Sequence, residues 1–213
     1  MRDQKKTETS GHRSVSLSLL LLLPLLLTIA TFAAESPAQK QWEAFLAKPS
    51  ASSFRRLSKT IQGCVVTKCH DPDVAGTQDD FTNFVALLML VERGNHYAME
   101  LGFQIRPLYE NDAADGEDLE RSLGLSATLE PTFFLELVRK YDFPTGTLER
   151  LVCQTSIESI DRLGMQREEL KRRIQSFSKV NDPRLLQLRN QAISLIQHEI
   201  DEYSTLPDNA LGK

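Results

Sequence analysis

Apolar side chains recur along this chain at intervals of three and four residues. No stretch alternates polar and apolar positions long enough to require a strand, so the periodicity predicts helices throughout. Trp42, Phe45 and Leu46 predict a short amphipathic helix that ends before Pro49. Ser50 or Ser52 is placed to cap the next, which carries Phe54, Leu57 and Ile61 on one face and is expected to stop at Gly63. Asp79 or Asp80 then precedes the most apolar segment after residue 33. There Phe81, Phe84, Val85, Leu88 and Val91 form one stripe, and Leu87 and Leu90 fill much of the remainder. A helix apolar nearly all round belongs inside, so this segment is predicted to be the central helix.

Gly94-Asn95 is the composition of a left-handed helix stop. Ala98, Leu101, Ile105 and Leu108 follow at helical spacing, which predicts an antiparallel hairpin whose second arm kinks or ends at Pro107. An acidic stretch from Glu110, ENDAADGEDLE, reads as a loop entering a helix around Leu119 and Leu123. Pro131 suits a first helical turn, followed by the stripe Phe134, Leu137, Val138 and Tyr141. FPTG at 143–146 predicts a turn, with Thr147 as cap for a helix bearing Leu148, Leu151 and Val152.

Beyond Gly164 the helices become charge-rich. Leu163, Leu170, Ile174 and Phe177 make a narrow stripe, and Glu168 and Glu169 precede Arg172 and Arg173 in the favourable i, i+4 order. Asp182-Pro183 is a start signal for a last helix with Leu185, Leu188, Ala192, Leu195, Ile196, Ile200 and Tyr203 along it. The expected fold is all-α: antiparallel hairpins, about seven to nine helices in all, stacked as a short array or an irregular bundle.

The N-terminal composition changes the picture of where the chain resides. A basic leader reaching Arg13 runs into an apolar segment from Leu17 to Phe32 and then Thr31-Phe32-Ala33, small at the positions a signal peptidase reads. Residues 1–33 are therefore expected to be a signal peptide cleaved after Ala33 or Ala34, or else an N-terminal anchor, since the apolar run approaches the roughly 17 residues a span needs. The remainder divides into a linker with a short N-terminal helix at 34–49, one helical domain at 50–205 and a flexible tail at 206–213. Export to the periplasm or the extracellular space follows. The net charge is −4 over 213 residues, and the leader itself holds four basic and two acidic side chains, so the exported part stands at −6. That mild acidity argues against a nucleic-acid partner, and against a membrane contact beyond the N-terminal segment.

FVALLMLVERGNHYAMEL from Phe84 and FLELVRKYDFPTGTLERL from Phe134 echo one another at an offset of about 50 residues, near the ~40 to 47 of HEAT and armadillo units. Over residues 80–155 the chain resembles helical-repeat proteins of that type, and it resembles helical proteins that bacteria secrete. The resemblance implies stacked hairpins and a face for a protein ligand; it assigns no site residue.

Candidate chemistry concentrates at CVVTKCH, residues 64–70. Cys64, Cys69 and His70 form a widened version of the haem-attachment signature, with Met89, Met99, His96 or His198 left to supply a sixth ligand. The same two cysteines, five apart in an oxidising compartment, are a disulfide candidate. In the loop that follows, Asp71, Asp73, Gly76 and Asp79 fall at calcium-loop positions, with His70 adjacent. Ala75 and Thr82 stand where a ligand and the bidentate Glu belong. Cys153 shares a stripe with Ile157 and Ile160 and reads as a small buried hydrophobe. His198 lies in HEIDE, which lacks the second His of a zinc peptidase, and pairs with Glu202 on an exposed face. Lys171-Arg172-Arg173, set among glutamates, reads as a solvated face.

No phosphate loop, nucleophile elbow or dinucleotide fingerprint is present, and no acid, base and nucleophile assemble. The sequence thus points to a non-catalytic exported interaction or scaffolding domain that needs no cofactor and meets another envelope or secreted protein. The alternatives are a calcium or small-ligand carrier built on the loop at 64–80, and a c-type haem protein.

Overall fold

The structure, a computed structural model, describes residues 36–69, 74, 82–109, 113–143 and 145–205. The described residues contain helices and turns and no strand, as the periodicity predicts. The leader, the tail, and Asp79, Asp80 and Phe81 lie outside them.

Helix α1, Pro37–Ala47, starts earlier than the expected linker allows. Ser36 is its N-cap, accepting from the Gln39 amide at 3.1 Å, and Pro37 supplies the preset first turn. Trp42 and Phe45 are thereby buried against α2, Ala51–Thr67, in which Ser50 and Ser53 form a reciprocal capping box. The predicted stop at Gly63 does not occur. Nothing lies within 4 Å of a Cβ built there, so the glycine occupies an open helical position, and α2 continues to a left-handed cap at Lys68.

Helices α3, Thr82–Glu92, and α4, His96–Ile105, form the predicted antiparallel hairpin. Gly94 has φ 73°, its amide and that of Asn95 close on Val91 and Leu90, and the Asn95 side chain then caps α4 through the Ala98 amide. Pro107 ends α4 as expected, turning the chain into a short 3-10 segment, Arg106–Tyr109.

The expected central position of the apolar segment is overturned. In α3 Phe84, Leu87 and Val91 are buried, Leu88 and Leu90 pack against the core while partly buried, and Val85 and Met89 are half exposed. The hub is α5, Ala113–Leu129, which packs against α3, α4, α6, α7 and α8. It buries Leu119, Leu123 and Ala127, and also Glu120, Arg121, Ser122 and Ser126. The acidic stretch from Glu110 is thus largely its first turns rather than a loop. Glu120 and Ser122 are matched by neighbouring elements, which makes their burial tolerable. Glu120 accepts from Arg106 Nε and Nη2 at 2.9 and 2.6 Å and lies 3.3 Å from Arg150; Ser122 donates to Glu92 at 2.9 Å. Gly124 lets the backbone of α7 approach closely.

Helices α6, Pro131–Tyr141, and α7, Thr145–Cys153, both pack on α5. Helix α7 begins at Thr145, so Thr147 is a buried member of the helix instead of its cap. A 3-10 turn at Ile157–Ser159 leads to α8, Leu163–Phe177, and α9, Leu186–Thr205, closes against α6, α7 and α8. Helix α9 starts later than Asp182-Pro183 signals, because residues 183–185 are taken up by a turn in which Leu185 donates to the Asp182 carbonyl. Ala192, Ile196 and Ile200 face inward.

Candidate functional site

Of the residues singled out from sequence, Cys64 and Cys69 are brought together at disulfide distance, with Cα atoms 4.9 Å apart. Cys64 is buried in the last turn of α2 and Cys69 follows its left-handed cap. His70, Asp71, Asp73, Gly76 and Asp79 lie outside the described residues. Among the described residues no group of three or more His, Cys, Asp or Glu could hold a metal ion. Met99 is buried in α4, Met89 is half exposed on α3, and His96 stacks on Phe133 with Nε2 3.0 Å from Glu130. His198 and Glu202 form the exposed pair expected of them, at 3.4 Å.

The stripe proposed for Cys153 does not form. Helix α7 ends at Cys153, and Ile157 and Ile160 are exposed beyond it. The thiol is nonetheless largely enclosed, and desolvation, with a contribution from the Glu199 carboxylate, pushes its pKa up to about 12. A thiol so raised is a weak nucleophile at neutral pH. Iodoacetamide at pH 8 is expected to modify Cys153 slowly in the native protein and rapidly in guanidinium; equal rates by mass spectrometry in the two conditions would contradict this.

The feature that sequence reasoning missed is a groove where the C-terminal ends of α3 and α5 meet the start of α8. Its volume is about 720 Å³ and it is lined by Glu92, Leu125, Leu129, Met165, Glu168 and Arg172 among others. Leu129 is 58 % exposed and Met165 44 %, so the apolar lining is open to solvent. Helical spacing puts these groups on the walls: Leu125 and Leu129 are one turn apart on α5, and Met165, Glu168 and Arg172 recur at i, i+3 and i+7 on α8. Glu92, Glu168 and Arg172 are exposed at the edge, giving it charges of both signs.

Beneath the groove lies Arg173, fully buried, which corrects the expectation that Lys171-Arg172-Arg173 is a solvated face. Its Nη1 donates to the carbonyls of Val152 and Gln154 at 2.6 and 2.7 Å, its Nε donates to Thr128 Oγ1 at 3.2 Å, and its Nη2 lies 3.9 Å from Glu169. Glu169 in turn accepts from the Ser156 amide and hydroxyl at about 3.0 and 3.1 Å. Burial lowers the guanidinium pKa to about 10, with Glu169 opposing the shift, so it stays a cation at neutral pH. The arrangement binds the end of α7 and the 3-10 turn to α5 and α8 through Thr128, Ser156 and Glu169, which line the groove. A signal for it existed in the sequence: Arg173 stands at i+3 from Leu170 and four before Phe177, on the apolar stripe itself.

No helix among the described residues is long and apolar enough to cross a membrane. No family model, curated protein or solved structure matches the chain.

Proposed function

We propose that the chain is an exported, non-catalytic interaction domain, and that the groove between α5 and α8 receives an amphipathic helix of another envelope or secreted protein. The observation that carries the reading is the solvent-open apolar lining of Leu125, Leu129 and Met165 above the Arg173 network. A wide apolar trough with charged edges fits a helix whose apolar stripe faces inward and whose flanks carry charge. Glu92 on one edge and Arg172 on another set the polarity of such a helix, since each favours an opposite charge beside it. Met165 suits a surface that adapts to its occupant, because the thioether side chain is unbranched and polarisable. Among the groove's lining residues there is no histidine or cysteine, and the Ser156 hydroxyl is bonded to a structural carboxylate, which favours binding over chemistry. The likeness of the Phe84 and Phe134 hairpins to HEAT-type units supports the same reading, as does the leader for export.

The test is a photo-crosslinking residue at Leu129 in the full chain, expressed in its native envelope. One protein is expected to be captured reproducibly, and once purified it should bind the wild-type chain. Leu129→Glu and Met165→Glu are expected to weaken that binding at least tenfold, an estimate based on losing central apolar anchors. Both side chains are exposed, so stability should change by no more than about 0.5 kcal/mol. Binding unaffected by both substitutions contradicts the reading, as does a crosslinker at Leu129 that captures no protein.

A further inference from the structure

We infer that the Cys64–Cys69 pair is a redox-sensitive helix terminus: oxidised it forces α2 to end at Lys68, and reduced it lets the helix continue. The reasoning starts from helix geometry. In an uninterrupted α-helix, residues five apart are separated by about 8.6 Å between Cα atoms, given a 1.5 Å rise, 100° of turn per residue and a 2.3 Å radius. A disulfide spans at most about 7 Å between Cα atoms. The bond and a helix running through Cys69 are therefore mutually exclusive. The structure holds the bonded alternative, with a Cα separation of 4.9 Å.

The residue that absorbs the difference is Lys68. It has φ 52° and ψ 42°, in the left-handed region, and it carries a Cβ, which makes that conformation unfavourable for it in a way it is not for glycine. Its amide and that of Cys69 close back on Val65 and Cys64. Those bonds favour the stop, the side chain opposes it, and the disulfide decides between them. No glycine stands at 68 to fix the turn whatever the redox state, and in the sequence the first residues that disfavour helix are Asp71, which precedes a proline, and Pro72 itself, so the helix can extend through Cys69 and His70. Exchange with a small dithiol balances without other reactants: the S–S bond breaks, Cys64 and Cys69 each gain a proton, and the reagent leaves as its own disulfide.

A reporter stands nearby. Trp42 is the single tryptophan of the chain, is fully buried, and donates its indole N–H to the carbonyl of Val74 at 3.2 Å. Val74 lies five residues beyond Cys69 in the sequence, so Trp42 emission reports whether a change at Cys69 reaches the carbonyl that the indole bonds.

The test uses the full chain matured under oxidising conditions. Denatured without reductant it should yield one titratable thiol per chain, Cys153, and after reduction all three cysteines of the sequence. On treatment with dithiothreitol the Lys68 carbon chemical shifts should move from left-handed to helical values, Trp42 emission should move to longer wavelength, and the melting temperature should fall by roughly 4 to 9 °C, as expected for opening so short a loop. Cys69→Ser should give the reduced signature and ignore the reductant. Three free thiols before reduction would overturn the inference. So would a Lys68 that keeps its left-handed shifts and a Trp42 emission that does not change when the bond is opened.

Discussion

Gly124→Ala is expected to destabilise the protein by about 3 kcal/mol, the upper range for forcing an atom into a filled interior. The sign is the informative part. In a helix interior alanine is ordinarily favoured over glycine by about 1 kcal/mol, so intrinsic preference alone predicts a gain. Here a Cβ at 124 would fall well under 3.0 Å from the Leu151 carbonyl oxygen, a backbone atom that no side-chain rotation can move. Relief requires α7 to shift as a body. Its end is held by the bonds from Arg173 to Val152 and Gln154, so the shift is resisted. Two other glycines bracket the effect. At Gly102 the nearest atom is the Leu123 Cδ2 methyl at 3.2 Å, which can yield, and Gly102→Ala should stay within about 1 kcal/mol of wild type. At Gly63 nothing lies within 4 Å, and Gly63→Ala should stabilise by about 0.5 to 1 kcal/mol. Urea denaturation of the three variants orders them; a Gly124→Ala protein as stable as Gly63→Ala would refute the close crossing of α5 and α7.

Arg173→Met is expected to cost about 3 to 5 kcal/mol, the range for removing one partner from a buried charged network. Methionine matches much of the volume, so the loss is chiefly polar. The carbonyls of Val152 and Gln154 lose their donor, the Thr128 hydroxyl loses its partner, and Glu169 is left without its cation. Arg173→Lys should recover little, because one ammonium cannot reach acceptors on α5 and α7 that the planar guanidinium spans at once. Adding Glu169→Gln to Arg173→Met should recover part of the loss by removing the stranded carboxylate, and a double-mutant cycle from chemical denaturation measures that coupling. Additive effects of the two substitutions would mean that the pair, 3.9 Å apart, is not coupled.

The caps and hairpin turns were legible because their chemistry is local. Ser50, Gly94-Asn95 and Pro131 act within four residues of themselves, and the structure uses each as read. Layering was not legible, because apolar content reports how much surface a helix can bury, not how many neighbours it has. Thr82–Glu92 is the more apolar helix, yet it lies at an edge with Val85 and Met89 out, whereas α5 has five helical neighbours and buries Glu120, Arg121 and Ser122 among them. Glu120 and Ser122 are acceptable inside because Arg106, Arg150 and Glu92 come from distant parts of the chain to meet them, whereas Arg121 pairs with Glu117 and Asp118 of its own helix. The groove escaped notice for a related reason: Leu129 and Met165 lie off the Leu119–Leu123 and Leu163–Phe177 stripes that predict burial, and only the packing of α5 against α8 brings the two side chains to one hollow. Arg173 was read by its charged neighbours in sequence, while its position on the Leu170–Phe177 stripe governs its environment.

Residue-resolved native-state hydrogen exchange settles which helix organises the fold. Amides from Leu119 to Ala127 should exchange slowest, with protection approaching the global unfolding free energy, and those of Val85 to Leu90 should exchange through smaller openings. Maximal protection in Thr82–Glu92, with α5 exchanging earlier, would contradict a molecule built around Ala113–Leu129.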